Sequence, residues 1–300
     1  MNRILSRLAP FALLSAALLL SSCERAYFRT LNAGVPANDS PSVVYDPAHG
    51  LSLDVYRTRA NADPAPIVVF FYGGSWRSGE RAYYRFVGEA LSQRGVIVLI
   101  PDYRKAPAHP FPAFMDDAAA ATAWARGHAA ELGGDPSRIF LMGHSAGAHI
   151  AALLATDGRY LRQWQMQPRD LAGVIGLAGP YDFLPITEPA IREVFADPAK
   201  WPESQPVNFV DGDEPPFLLL QGDDDHRVNP LNSEHLAARL RAAGEPVRLQ
   251  SIAGVGHVAL VNGFRSPLFS PVLADSLDWI NANGQPGLTP GRPAKINGKR

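Results

Sequence analysis

The stretch from Arg138 to Ala155, RIFLMGHSAGAHIAALLA, leaves the chain little choice of local fold. Ile139, Phe140, Leu141 and Met142 form a continuous apolar run, as in a strand buried on both faces. Beyond it Ala146, His149, Ile150, Leu153 and Leu154 recur at helical spacing, and the alanines add helix propensity. Between the two stands a polar residue, Ser145, flanked by Gly143 and Gly147. A chain that turns directly from strand into helix needs glycine where the turn is tight and neighbouring segments approach closely. The apex residue is then held in strained backbone, with its side chain pushed out of the sheet. This is the G-x-S-x-G pattern, which presents a serine hydroxyl at the end of a strand. A nucleophilic serine needs a base, an acid to orient it and donors for a developing oxyanion, all supplied from elsewhere in the chain.

The flanking sequence predicts what carries those groups. LSLDVYR (Leu51–Arg57) alternates like a half-buried strand, while APIVVFFYGG and GVIVLIPDYR are continuous apolar runs that end in loop chemistry. LAGVIGLAG, PFLLLQGDDD and VRLQSIAGVGH add three further strands. Helices are expected over Tyr83–Arg94, over AFMDDAAAATAWARGHAAEL up to Gly133-Gly134, over NSEHLAARLRAAG up to Gly244, and over SPVLADSLDWINA. Strands alternating with helices imply an open, mostly parallel sheet with helices on both faces. With 46% apolar residues in 300, one large core is expected over residues 41–282. A net charge of −1 offers no basic surface for nucleic acid. The tail, 283–300, is rich in Gly, Pro, Lys and Arg and is expected to be disordered.

The N-terminus reads as an address. Arg3 and Arg7 precede an apolar stretch from Leu8 to Leu20, short for a membrane span and laid out like an export signal. It closes on Leu20-Ser21-Ser22-Cys23, which resembles the lipobox of bacterial lipoproteins. That resemblance implies a signal peptide at 1–22, cleavage before Cys23, and lipid on its thiol. The protein is then expected in the bacterial cell envelope, lipid-anchored and facing the periplasm, with residues 23–40 as a polar tether. Cys23 is the sole cysteine, so no disulfide forms within the chain.

In a sheet of this kind chemistry collects at the carboxyl ends of the strands. Those ends carry YGGSW, PDYR, HSAG, GPYD, QGDDDHRV and GVGH. Ser145, the Asp223–Asp225 cluster and His257 follow one another in the order serine, acid, histidine that a strand–elbow–helix site demands. The residues alone leave the acid open among Asp223, Asp224 and Asp225, with Asp182 as the next place to look.

Taken together, these motifs resemble the α/β-hydrolase superfamily, in its hormone-sensitive-lipase-like and bacterial carboxylesterase branch. DYRKAPAHPFPAFMDD is similar to that branch's D-Y-R-L-A-P-E-x-P-F-P-A stretch, and GGDPSRIFLMGHSAGAHIAALLA to its elbow. YGGSW stands where the family has H-G-G-G/A-W, and LLLQGDDDHRVNP resembles its acid loop, which selects Asp225. The resemblance covers roughly residues 45 to 280. It implies the α/β-hydrolase fold with Ser145 as nucleophile, His257 as general base and acid, and Asp225 orienting the imidazole. The backbone N–H groups of Ala146, Gly74 and Ser75 form the implied oxyanion hole. Tyr72 and Gln221 replace two histidines of the family pattern, and Ser75 a glycine or alanine.

The implied activity is hydrolysis of short-chain carboxylic esters through an acyl-enzyme, with no cofactor and no metal. Amide hydrolysis of the kynurenine-formamidase type, prenylcysteine methylesterase-like activity and cleavage of acetyl or feruloyl sugar esters are alternatives the same resemblance allows. A catalytically dead envelope-binding lipoprotein is the alternative outside enzymes. The segment 181–216, with Phe183, Leu184, Ile191, Val194, Phe195 and Trp201, is expected as a short lid. His144 and His149 are expected as a pocket wall and a helix-face residue. Asp102 and Arg104 are expected in a structural network beneath the site.

Overall fold

The computed structural model describes residues 25–38, 40, 42–58 and 64–283. The signal segment 1–22, Cys23 and the tail beyond 283 lie outside the described residues. Eight strands form one sheet: β1 (Val43–Asp46), β2 (Leu51–Tyr56), β3 (Ala65–Phe71), β4 (Ile97–Pro101), β5 (Gly134–His144), β6 (Gly173–Leu177), β7 (Phe217–Gly222) and β8 (Val247–Ile252). Their order is β1-β2-β4-β3-β5-β6-β7-β8. β1 and β2 join antiparallel, and β4, β3, β5, β6, β7 and β8 run parallel.

The continuous apolar runs become the interior strands, because helices cover both faces there and leave no solvent side. Every residue of β3, β4, β6 and β7 is buried. The covering helices are α1 (Arg85–Ser92), α2 (Ala113–Gly127), α3 (Ala146–Thr156), α4 (Pro189–Val194), α5 (Leu231–Ala243) and α6 (Val272–Asn283). α5 stops at Gly244, whose φ of 83° is the left-handed cap that a glycine accommodates without a Cβ penalty. α2 ends at Gly127, and a separate turn, Ala129–Leu132, completes the stretch expected as one long helix. Parallel register brings Met142 beside Ile175 and Leu220 beside Leu177, so the ends of β5, β6 and β7 open on one edge.

Two expectations need correction. β1 was not foreseen, because VVYD is partly exposed at the sheet edge and shows no sustained alternation. The supposed polar tether is not loose over its described part. Residues 25–31 are helical, and Phe28 is buried, stacked on Tyr83 at 5.2 Å and tilted against Tyr84 at 4.9 Å. Asn32 fastens the segment, its amide donating to the Ala82 and Tyr83 carbonyls and its carbonyl oxygen accepting the Phe86 N–H. Burial of one aromatic ring and a polar clasp outweigh the freedom of a short polar run.

Candidate active site

β5 delivers Ser145 to the edge where the parallel strands end. Its φ of 57° and ψ of −123° lie in a region that costs a non-glycine residue about 1–3 kcal/mol. The flanking glycines are required by space. A Cβ on Gly147 would lie 1.9 Å from the Phe71 carbonyl oxygen, and one on Gly143 would lie 2.3 Å from the Gly147 backbone. The Ser145 N–H is tied to the Leu177 carbonyl at 2.9 Å, so β6 helps hold the strain.

The loops after β7 and β8 bring the other two groups. His257 Nε2 is 2.9 Å from Ser145 Oγ, and His257 Nδ1 is 2.8 Å from Asp225 Oδ2. Asp225 and His257 are both buried, 4% and 8% exposed, while the serine hydroxyl faces a cavity of about 910 Å³. Asp225 Oδ1 accepts the Arg227 and Val228 N–H groups, each at 2.9 Å. Burial raises the Asp225 pKa, but the His257 hydrogen bond and these backbone donors outweigh it, so the carboxyl sits below its ordinary value. An ionised Asp225 accepts Nδ1–H and leaves Nε2 to take a proton from the serine.

The neighbouring aspartates are engaged elsewhere. Asp223 accepts the Gly254 N–H at 2.7 Å, and exposed Asp224 lies 3.1 Å from His226. Asp182 pairs with His235 at 2.7 Å and makes no contact with His257.

Gly74, Ser75 and Trp76 turn away from β3 with φ of 134°, 51° and 57°. Gly74 and Ser75 line the cavity with Ala146, the first residue of α3, whose N–H has no partner one turn back in the helix. The three residues expected to supply the oxyanion donors therefore border one space beside Ser145.

Two groups singled out as departures have clear jobs. Gln221 donates to Asp225 Oδ2 at 3.0 Å and accepts the Ser233 hydroxyl at 3.0 Å, so it steadies the Asp225 carboxylate. Tyr72 donates to Asp102 at 3.1 Å and stacks on Tyr103 at 4.6 Å beneath the turn. Asp102 also holds Arg81, whereas Arg104 is paired with buried Asp117; these are separate networks.

Two histidines do more than sequence reasoning assigned them. His144 Nε2 donates to the His257 carbonyl at 3.1 Å, which leaves Nδ1 to accept the Tyr84 hydroxyl at 2.9 Å. Tyr84 in turn accepts the Gly73 N–H at 3.4 Å. His149 accepts the Trp76 indole N–H at 3.1 Å and donates to the Ser204 carbonyl at 2.7 Å. Burial holds both rings neutral, lowering His144 to about 3 and His149 to about 4. Their signal in the sequence was only their place in GHSAGAH around the serine.

The expected lid divides in two. Phe183, Leu184, Ile186 and Ile191 line the cavity, while Val194 and Phe195 are buried, Phe195 against Trp76 at 5.0 Å. The segment is stapled down: Asn232 accepts the Tyr181 and Asp182 N–H groups, and the Val194 carbonyl accepts the Phe111 N–H at 2.8 Å.

Residues 53–240 match the model of the BD-FAE family. Esterase LipC of Mycobacterium tuberculosis is 31% identical over 257 residues, covering 79% of this chain and 63% of that protein. "Probable isoprenylcysteine alpha-carbonyl methylesterase ICMEL1" of Arabidopsis thaliana is 30% identical over 241 residues, covering 73% of this chain and 51% of that protein. The chain thus spans between 51% and 63% of the length of these curated relatives. Among solved structures, the apo form of esterase 2 from Thermogutta terrifontis is similar with a TM-score of 0.71 and 26% identity, covering 83% of this chain and 97% of that one. With the family model spanning more than half of its length and the eight-stranded sheet in place, this chain belongs to the BD-FAE family and carries the α/β-hydrolase fold.

Proposed function

We propose that this protein is a serine carboxylesterase that hydrolyses short-chain esters, held at the envelope membrane by lipid on Cys23. The observation that carries the catalytic part is the unbroken contact series from Ser145 Oγ through His257 to Asp225, at 2.9 and 2.8 Å, on the floor of an open cavity. The names of the relatives, esterases among them, support ester bonds as the target.

In this reading Ser145 Oγ attacks the ester carbonyl and its proton passes to His257 Nε2. The carbonyl oxygen takes the negative charge and is met by the N–H groups of Ala146, Gly74 and Ser75, each worth roughly 3 kcal/mol of transition-state stabilisation. The tetrahedral species collapses, the C–O bond to the alcohol breaks, and the alcohol leaves with the proton from His257. Water then repeats the sequence on the acyl-enzyme, releasing the acid and restoring Ser145. Asp225 stays ionised and stabilises the imidazolium throughout.

The test is covalent and kinetic. A fluorophosphonate probe should label the wild type and not S145A. S145A should lose several orders of magnitude in kcat/KM on nitrophenyl acetate, with about 10³-fold over water remaining from binding and the oxyanion donors. An alanine variant that keeps more than a tenth of the activity would rule Ser145 out as nucleophile. The same assay run on N-formylkynurenine and on acetylated and feruloylated sugars ranks the alternative substrates.

A further inference from the structure

The docked N-terminal helix sets the orientation that an anchored protein takes on its membrane. Helix 25–31 lies against the loop that follows His257: the Tyr27 hydroxyl donates to Asn262 at 2.5 Å, and the Arg265 guanidinium donates to the Ala33 carbonyl at 3.1 Å. The chain then turns tightly, with the Phe269 N–H on the Ser266 carbonyl at 3.2 Å and the Ser270 hydroxyl on the Leu260 carbonyl at 2.8 Å. That turn presents Leu268 and Phe269, which at 92% and 57% exposure are the two most exposed large apolar side chains among the described residues. Arg25, Arg29 and Arg265 are exposed on the two segments, and none of them makes an ion pair among the described residues. Two protruding apolar side chains on a pair of contacting segments that also carry three exposed arginines suit the boundary between water and an anionic lipid surface.

We propose that this face, helix 25–31 together with the turn at 265–269, seats on the phospholipid surface, with Leu268 and Phe269 among the headgroups and the arginines against lipid phosphates. The proposal rests on the reading of Cys23 as the anchor. One residue separates Cys23 from Arg25, and two Cα–Cα steps reach at most about 7 Å, so lipid on Cys23 would hold helix 25–31 close to the bilayer. Phe28 of the same helix lines the catalytic cavity. The cavity then opens beside the lipid boundary and takes up esters that partition there.

The experiment places benzoylphenylalanine at 268, 269 or, as a control, 131 in the full-length protein expressed in its membranes. Glu131 is exposed and precedes β5, at the opposite ends of the strands from the site. Irradiation should yield phospholipid adducts at 268 and 269 and none at 131. Membrane-held protein with no lipid adduct at 268 and 269, or with protein adducts only, overturns the proposal and leaves the anchor standing. Recovery of the native protein in the soluble fraction overturns both. A C23S variant that stays in carbonate-washed membranes and still forms the adducts removes the acyl anchor and supports the face. As a second readout, L268D/F269D should hydrolyse a water-soluble acetyl ester at the wild-type rate. It should cleave esters carried in phosphatidylethanolamine–phosphatidylglycerol vesicles at least about fivefold more slowly. Equal loss on both substrates, or on neither, counts against the proposal.

Discussion

Three consecutive aspartates follow β7, and a single turn of loop sends them to three different partners. Asp223 reaches the Gly254 N–H, Asp224 lies beside His226 in solvent, and Asp225 alone meets the His257 ring. D225N should therefore cost at least about 10³-fold in kcat, because an amide at this position favours the wrong tautomer of His257. D223N and D224N should stay within about tenfold of wild type in the same assay. A crippled D224N would shift the acid by one residue. His144 supports a second expectation, since it joins the carbonyl of His257 to the loop beginning at Gly73 through Tyr84. H144F removes both hydrogen bonds and should lower kcat about 10- to 100-fold while KM moves less than about threefold, as misplacement of reacting groups does. H144Q, which restores a donor and an acceptor, should recover most of the loss. Equal kcat for wild type and H144F would make His144 a simple wall of the cavity.

The elements show how the strained apex is kept in place. β5 runs straight into α3, and the approach of Gly147 to the Phe71 carbonyl brings the helix down onto β3. One turn further along α3, His149 ties the Trp76 side chain on one side and the Ser204 carbonyl of the lid segment on the other. Segment 181–216 is thus pinned to the helix that begins just after Ser145. Because the native His149 titrates near 4 against an ordinary value of 6.5, the unfolded chain binds a proton between these values that the folded chain does not. Folding stability should therefore fall as pH drops from 6.5 towards 4, by up to about 1.4 kcal/mol per pH unit from this group. Buried His144 acts in the same direction, down to about 3. Urea unfolding of H149Q across this window should show a slope smaller than wild type by close to one proton. An unchanged slope would mean that His149 is not buried as a neutral ring.

For the molecule as a whole, the cavity of about 910 Å³ is walled by parts far apart in the chain: Phe28, the turn at Gly73–Trp76, Phe183–Ile191 and Arg227–Leu231. Within the lid segment, Val194 and Phe195 are committed to the core and Trp201 packs against it, which leaves a short apolar wall for an acyl chain. kcat/KM on nitrophenyl esters should accordingly peak at about two to six carbons, each CH₂ adding at most about 0.8 kcal/mol until the wall is covered. A maximum at ten carbons or more would contradict this reading of the lid.

The strands, the elbow and the order of serine, acid and histidine could be read without coordinates, because each is written locally. A buried strand shows as a continuous apolar run, and a tight strand-to-helix turn shows as glycine on either side of Ser145. The left-handed stop at Gly244 was legible for the same reason. What escaped depends on contacts between residues distant in the chain. β1 exists because β2 pairs with it, and the N-terminal helix docks because Tyr83 and Tyr84 offer Phe28 an aromatic face. Gln221 reads as a substitution until its amide is found on Asp225, and His144 as a wall until its two nitrogens are traced to partners 60 and 113 residues away. Periodicity and turn chemistry report on a residue's own backbone. A side chain's hydrogen-bond partner is chosen only once the sheet has closed and brought remote loops within 3 Å of one another.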